Sequence, residues 1–268
     1  MSYRYWRRPF HSQNFLLNPE LVRWLIGNSS IGKKDVVLEI GPGKGIITRE
    51  LAAVAKKVIA VEIDSNLYLK LKNKFRFFYN IVTLHNNILR FRLPSYPYKV
   101  FSNIPFSISA DIIRKLTSNN NFQEGYLIVQ KELAQRFIGK PYDSKNQMVS
   151  ALLRPWFKID LLHEFLRSDF YPTPKVDSVM IRITRLKKPL IPQTQEAGYR
   201  RFILYLYNRK RVSRMRFGSI LELYKNFAKN ASRQYKLRIA KSASKLLVGQ
   251  GNIQKIHRNR KDKRWKKF

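Results

Sequence analysis

The chain has 268 residues, 44% of them hydrophobic, with 53 Lys and Arg against 17 Asp and Glu and a net charge of +36. That apolar share supports a packed core and excludes wholesale disorder, while so large an excess of one sign calls for a polyanionic partner, nucleic acid first and an anionic membrane as the rival. The absence of cysteine excludes disulfides, thiolate catalysis and thiolate zinc sites, and His11, His85, His163 and His257 lack metal-ligand spacing, so no metal is expected.

The opening Met1-Ser-Tyr-Arg-Tyr-Trp-Arg-Arg8 has no signal-peptide character, and no apolar run reaches about 18 residues. A cytoplasmic protein without membrane contact is expected. A helix is predicted over 19–27. Residues 36–40 (VVLEI) and 58–63 (VIAVEI) are short, β-branched, nearly continuous apolar runs, the pattern of buried parallel strands, and 44–55 between them has helical periodicity. Strand, glycine-rich turn, helix and strand make a βαβ unit. Helices follow at 66–78, 108–118 and 131–138, and strands at 81–85, 99–102 and 125–130. Alternation of this kind predicts an open, mostly parallel α/β sheet. At 156–164 and 175–185 the pattern becomes strand-like with no intervening helix, which predicts an antiparallel hairpin at one sheet edge.

Residues 187–193 (KKPLIPQ) read as a linker. From 187 onward 24 Lys and Arg face three acids (Glu196, Glu222, Asp262). Apolar clusters at 202–207, 220–227 and 237–247 predict a small basic helical domain. The last fourteen residues carry eight cations and read as a flexible polybasic tail. The predicted organisation is 1–186, a catalytic α/β domain; 187–254, a basic helical domain that binds RNA; and 255–268, the tail.

Leu38-Glu-Ile-Gly-Pro-Gly-Lys-Gly45 ends one predicted strand and opens a helix, where glycines permit close backbone approach to a ligand or simply tight packing. The dinucleotide pattern would need glycine at 46, which is Ile46, and the P-loop spacing is absent. Glu62 lies 21 residues after Gly41 at the end of the next strand, where a carboxylate reaches ribose hydroxyls or is merely a solvated strand-end acid. Asp64 suits the N-cap of the following helix. Asn103-Ile-Pro-Phe106 falls on the same carboxyl edge. Adenine N6 is a poor nucleophile because its lone pair is delocalised; acceptors aimed at its hydrogens favour a pyramidal nitrogen, so positioning rather than a strong base carries the chemistry. An aromatic ring holds the base by stacking. The alternative is a turn with a buried Phe.

Five motifs occur in order: His11-Ser-Gln-Asn-Phe-Leu16, Glu39-Ile-Gly-Pro-Gly-Lys-Gly45, Val61-Glu-Ile-Asp64, Asn103-Ile-Pro-Phe106 and Phe170-Tyr-Pro-Thr-Pro-Lys-Val-Asp-Ser178. Over residues 8–186 the chain resembles the rRNA adenine-N6 dimethyltransferases, and HSQNF with Ile104 looks more like the Erm branch, which modifies 23S rRNA and confers macrolide resistance, than the small-subunit branch. The resemblance implies a Rossmann-like class I methyltransferase sheet, S-adenosylmethionine as cofactor, ribosomal RNA as partner and a monomer. It implies that Gln13, Asn14 and Phe15 lie along the cofactor, that Gly41 and Gly43 approach its backbone, and that Glu62 binds the ribose with Ile63 beside it. Asn103 and the Ile104 carbonyl accept from N6, Pro105 stiffens the loop, Phe106 stacks on the adenine, and Phe170 packs on its other side. The family commonly has Asp at the position of Asn87, where it accepts from the cofactor's adenine amino group; Asn87 retains an amide oxygen for this but no charge. A non-catalytic RNA-binding factor on the same fold remains a rival, as does a DNA adenine methyltransferase, although those enzymes usually carry an acid at the Asn103 position.

Overall fold

The computed structural model describes residues 14–139, 144–208 and 215–244, with backbone alone over 144–147. Gln13 and the 255–268 tail lie outside the described residues. Two units are formed: residues 139–156 together with those from 188 onward make one, and the chain up to 138 with 157–187 makes the other.

The first unit runs β1 (Phe15–Leu16), α1 (Pro19–Gly27), β2 (Val36–Ile40), α2 (Ile46–Val54), β3 (Lys57–Glu62), α3 (Ser65–Lys74), β4 (Ile81–His85), β5 (Tyr98–Asn103), α4 (Ser109–Thr117), β6 (Phe122–Gln130) and α5 (Lys131–Ile138). The second unit contributes α6 (Ser144–Leu153), after which the first resumes with β7 (Phe157–Glu164), β8 (Phe170–Tyr171) and β9 (Ser178–Arg185). Seven strands form one sheet in the order β4-β3-β2-β5-β6-β9-β7. The first five are parallel; β9 is antiparallel to both β6 and β7. The apolar runs become strands because both sheet faces are covered: Val37, Leu38, Val58, Val100, Leu127, Val129 and Ile181 are fully buried. The expected α/β sheet with an antiparallel edge is therefore present.

Boundaries differ where side chains choose the core over local pattern. α3 stops at Lys74, not 78, because Phe75 caps it through Leu71 O and turns its ring inward against Phe78. β6 starts at Phe122, three residues early, since that ring is buried against Tyr98 and Phe157. The antiparallel ribbon β1–β8, with Phe15 opposite Tyr171 and Leu16 opposite Phe170, has no periodic signature and was not predicted. Residues 139–156, placed by sequence in the first domain, fall in the helical unit. There α6 is joined by α7 (Glu196–Asn208), α8 (Phe217–Asn230) and helical residues 233–244. Tyr199 ties them: its hydroxyl donates to Ala151 O (2.8 Å) and its ring meets Trp156 and Tyr224 edge-on.

One buried acid shapes the sheet's active edge. Glu39 on β2 points into α2, where Thr48 Oγ1 donates to its Oε2 (2.6 Å). Burial, assisted by the charge of Glu62 and opposed by the Thr48 hydrogen bond, pushes the Glu39 carboxyl up to about 8. The folded state thus holds a proton that the unfolded chain releases near pH 4.5. The resulting stability is complete below that pH and is lost as pH rises through about 8. Glu39→Gln keeps the volume and removes the titration. Its thermal midpoint relative to the wild type should climb progressively between pH 5 and pH 9, by an amount on the order of a few kcal/mol in stability; a pH-independent difference would refute a neutral Glu39.

Candidate active site

The carboxyl ends of β2, β3, β4 and β5 lie side by side, and four loops leave from them. Between β2 and β5 the alignment is fixed by Ser102, whose Oγ donates to Ile40 O (2.5 Å) and accepts from Ile40 N (3.2 Å). The glycine turn therefore starts at a set height relative to Asn103. Gly41 has φ 66° and Gly43 φ 58°, a region that side-chain-bearing residues rarely enter. Space demands glycine as well: a Cβ on Gly43 would lie 2.4 Å from the Phe15 ring. Phe15 is thus laid on the turn, with Lys44 Nζ 5.5 Å from its centroid.

Glu62 closes the turn from the next strand. Its Oε2 accepts from Gly43 N (3.1 Å), and Oε1 accepts from Ile63 N (2.8 Å) and Asp64 N (3.0 Å). A carboxylate has about four acceptor positions, so one remains, on Oε2. Asp64 caps α3 through Leu67 N, as expected of that position.

Asn103 ends β5 half-buried, and its Nδ2 donates to Asn14 O (2.6 Å) across 89 residues of sequence. With the amide nitrogen occupied in this way, its oxygen is the free acceptor. Pro105 O accepts from Ile108 N (3.2 Å) and Ser109 Oγ (3.0 Å), folding the tetrapeptide into a short turn ahead of α4. Ile104 is buried beneath it, and Phe106 is half-buried. Asn14, Phe15, Gly41, Asn103, Ile104, Pro105 and Phe106 together line one cleft. None of these side chains ionises.

Two further residues sit differently from expectation. Asn87, just past β4, accepts the Leu89 N–H with its Oδ1 (2.9 Å), and its backbone oxygen accepts from Arg90 and Phe91 (both 2.8 Å). A backbone N–H requires the oxygen, so the NH2 group is turned away from the turn as a donor. Phe170 does not face a base: it is 2% exposed, packed edge-on against Phe165 within the core. Strand alternation sends the next residue the other way, and Tyr171 is 62% exposed and directly opposite Phe15. Sequence reading passed over Tyr171 because a two-residue strand has no visible period. It also passed over Glu39 and Ser102, which hold the edge without touching the cleft. Among the described residues no group of three or more His, Asp or Glu could hold a metal, and no helix is long and apolar enough to cross a membrane.

The sequence model of the family described as ribosomal RNA adenine dimethylase matches residues 6–251. An rRNA adenine N-6-methyltransferase of Bacillus licheniformis is 38% identical over 180 residues, 66% of this chain and 62% of that protein, so the chain spans about three fifths of that relative's length. A ribosomal RNA small subunit methyltransferase A of Clostridium acetobutylicum is 31% identical over 205 residues, 74% of each chain. Among solved structures, the 23S rRNA methyltransferase ErmE superposes with a TM-score of 0.67 at 26% identity, covering 73% of this chain and 79% of its own. With the glycine turn, the strand-end acid and the Asn-Ile-Pro-Phe turn assembled on one sheet edge, the chain belongs to the ribosomal RNA adenine dimethylase family.

Proposed function

We propose that this chain transfers a methyl group from S-adenosylmethionine to N6 of an adenine in 23S rRNA, as a cytoplasmic monomer, and that the modification confers macrolide-type resistance. The observation that carries the reading is the Asn103 amide: its nitrogen is bound to Asn14 O, leaving the oxygen as an acceptor in a cleft without ionisable side chains. When bound, S-adenosylmethionine supplies a methyl group on a positively charged sulfur.

The residues present fit that cofactor. Asn14, Phe15 and Gly41, which line the cleft, would hold its amino-acid arm, and Glu62 Oε2 has an acceptor position left for a ribose hydroxyl. Ile63, just past β3, and Asn87, just past β4, would hold its base. On the other side, Asn103 Oδ1 and the Ile104 carbonyl accept from the adenine amino group and orient its lone pair. Phe106 stacks on the base, and Tyr171 is the ring that the 170–178 loop presents. Among the described residues no ionisable side chain lines the cleft, so the N6 proton would leave to water. Alignment and desolvation do the work. The basic helical unit and the 255–268 tail add RNA affinity that is independent of sequence.

The choice of 23S rRNA rests on HSQNF at 11–15, on Ile104 and on the likeness to ErmE. The second reading is small-subunit rRNA, favoured by the match to the Clostridium acetobutylicum protein over 74% of each chain. Primer extension across both rRNAs after expression in a susceptible bacterium separates them: a stop in 23S rRNA alone is expected, and a stop in 16S rRNA alone overturns the choice. Expression should raise the macrolide inhibitory concentration, and Asn103→Ala should abolish the increase, with at least about a hundredfold loss of methylation rate in vitro. Asn87→Asp gives one oxygen to Leu89 N–H and a second to the cofactor's amino group. It should tighten S-adenosylhomocysteine by about tenfold in calorimetry; an unchanged Kd would place the cofactor's base elsewhere.

A further inference from the structure

Between Asp64 and Asp111 the chain contains no acidic residue. The first part of that stretch, Leu69-Lys-Leu-Lys-Asn-Lys-Phe-Arg-Phe-Phe-Tyr79, alternates apolar and cationic side chains and joins α3 to β4. A core role explains only some of it. Leu71 and Phe75 are buried, but Phe77 is 83% exposed and Tyr79 99%, with Phe78 and Leu69 also partly in solvent. Arg76 lies over the Phe77 ring at 4.5 Å from its centroid. Lys74 in the last turn of α3 donates to Lys44 O. The helix dipole favours Lys72 as well, but it does not explain exposed rings beside an Arg, three of them consecutive.

The segment is also remote from the catalytic cleft. Val58 stands opposite Ile81 and Glu62 opposite His85, so residues 75–80 lie at the starting end of β4. That is about 13 Å along the strand from the edge that carries Glu62.

We propose that Phe77 and Tyr79, with Arg76 over the Phe77 ring and the exposed Lys70 and Lys72 of the same segment, form a second RNA-binding surface that stacks unpaired bases of the same ribosomal RNA. The proposal rests on the rRNA reading given above. Cations draw in phosphate while rings take bases, and the segment from 65 to 110 contains no acid to oppose either. Unpaired bases are specified because paired ones keep their faces within the helix. The enzyme would therefore hold its RNA at two places on opposite ends of the sheet, and a loop or bulge distant from the target adenine becomes part of the substrate.

The test uses the full chain with transcribed 23S and 16S rRNA, and measures Kd across a salt series. Phe77→Ala/Tyr79→Ala should weaken binding about tenfold or more while leaving the slope of log Kd against log salt unchanged, since stacking releases no counterions. Lys72→Gln/Arg76→Gln should instead flatten the slope by roughly one to two units. In turnover, the ring variant should raise KM for rRNA and leave kcat alone. Its melting temperature and S-adenosylhomocysteine affinity should match the wild type, which separates lost contact from lost fold. Wild-type affinity in the ring variant would overturn the proposal. So would wild-type RNA affinity with altered sedimentation, which would assign the surface to a protein contact. If wild-type protein methylates neither rRNA, the functional reading fails, and the ring dependence of RNA affinity still decides the surface.

Discussion

Glu62 binds two loops with one carboxylate. It accepts backbone N–H groups from the glycine turn after β2 and from the first residues after its own strand, and it is almost fully buried. Charge-assisted hydrogen bonds of this kind are among the stronger interactions available to a folded chain. Three of them leave the side chain almost no freedom. The turn, the start of α3 and the remaining acceptor position of Oε2 thus take their places from a single group, and the rest of the edge is built around them. Glu39, neighbouring in charge but held neutral, keeps a second negative charge out of the same region.

Beside the Glu62 carboxylate, two amides supply polarity without charge. Asn103 is oriented by the Asn14 carbonyl and presents an oxygen; Asn87 is oriented by the Leu89 N–H and presents a nitrogen. Each is set by a backbone group that can pair with only one end of the amide, an accepting carbonyl for Asn103 and a donating N–H for Asn87, so neither needs a charge to be directional. In a chain of net charge +36, the side chains that line the cleft between β2 and β5 are nonetheless uncharged.

Much of this is legible in the sequence alone. The strands VVLEI and VIAVEI, buried on both faces, have the apolar continuity that burial requires, and the Gly-Pro-Gly turn followed at fixed distance by Glu62 marks a βαβ unit directly. What was illegible is whatever depends on partners distant in sequence. Nothing near Asn103 announces that Asn14 holds its amide. The two-residue strand at Phe170 is too short for alternation to be read, so the pattern does not tell which of Phe170 and Tyr171 is buried and which exposed. Lys74 ends α3 early because Phe75 finds the core, a packing preference invisible to a helical pattern. Residues 139–156 read as a continuation of the sheet domain since their composition is ordinary; only Tyr199, forty-eight residues beyond Ala151, reveals where they pack.

That insertion changes what the linker at 187–193 means. The chain passes from one unit to the other three times, at 138–139, 156–157 and 187–188, not once. A protease cut or stop codon after Lys187 would not release the α/β unit as a finished body. It would leave α6 and Trp156 attached to it, stripped of Tyr199, with the apolar side of that segment uncovered and the Ala151 carbonyl without its hydroxyl partner. In genetic terms the two units are a single inheritance: a truncation at the linker divides the helical unit itself and uncovers the core of the part that remains.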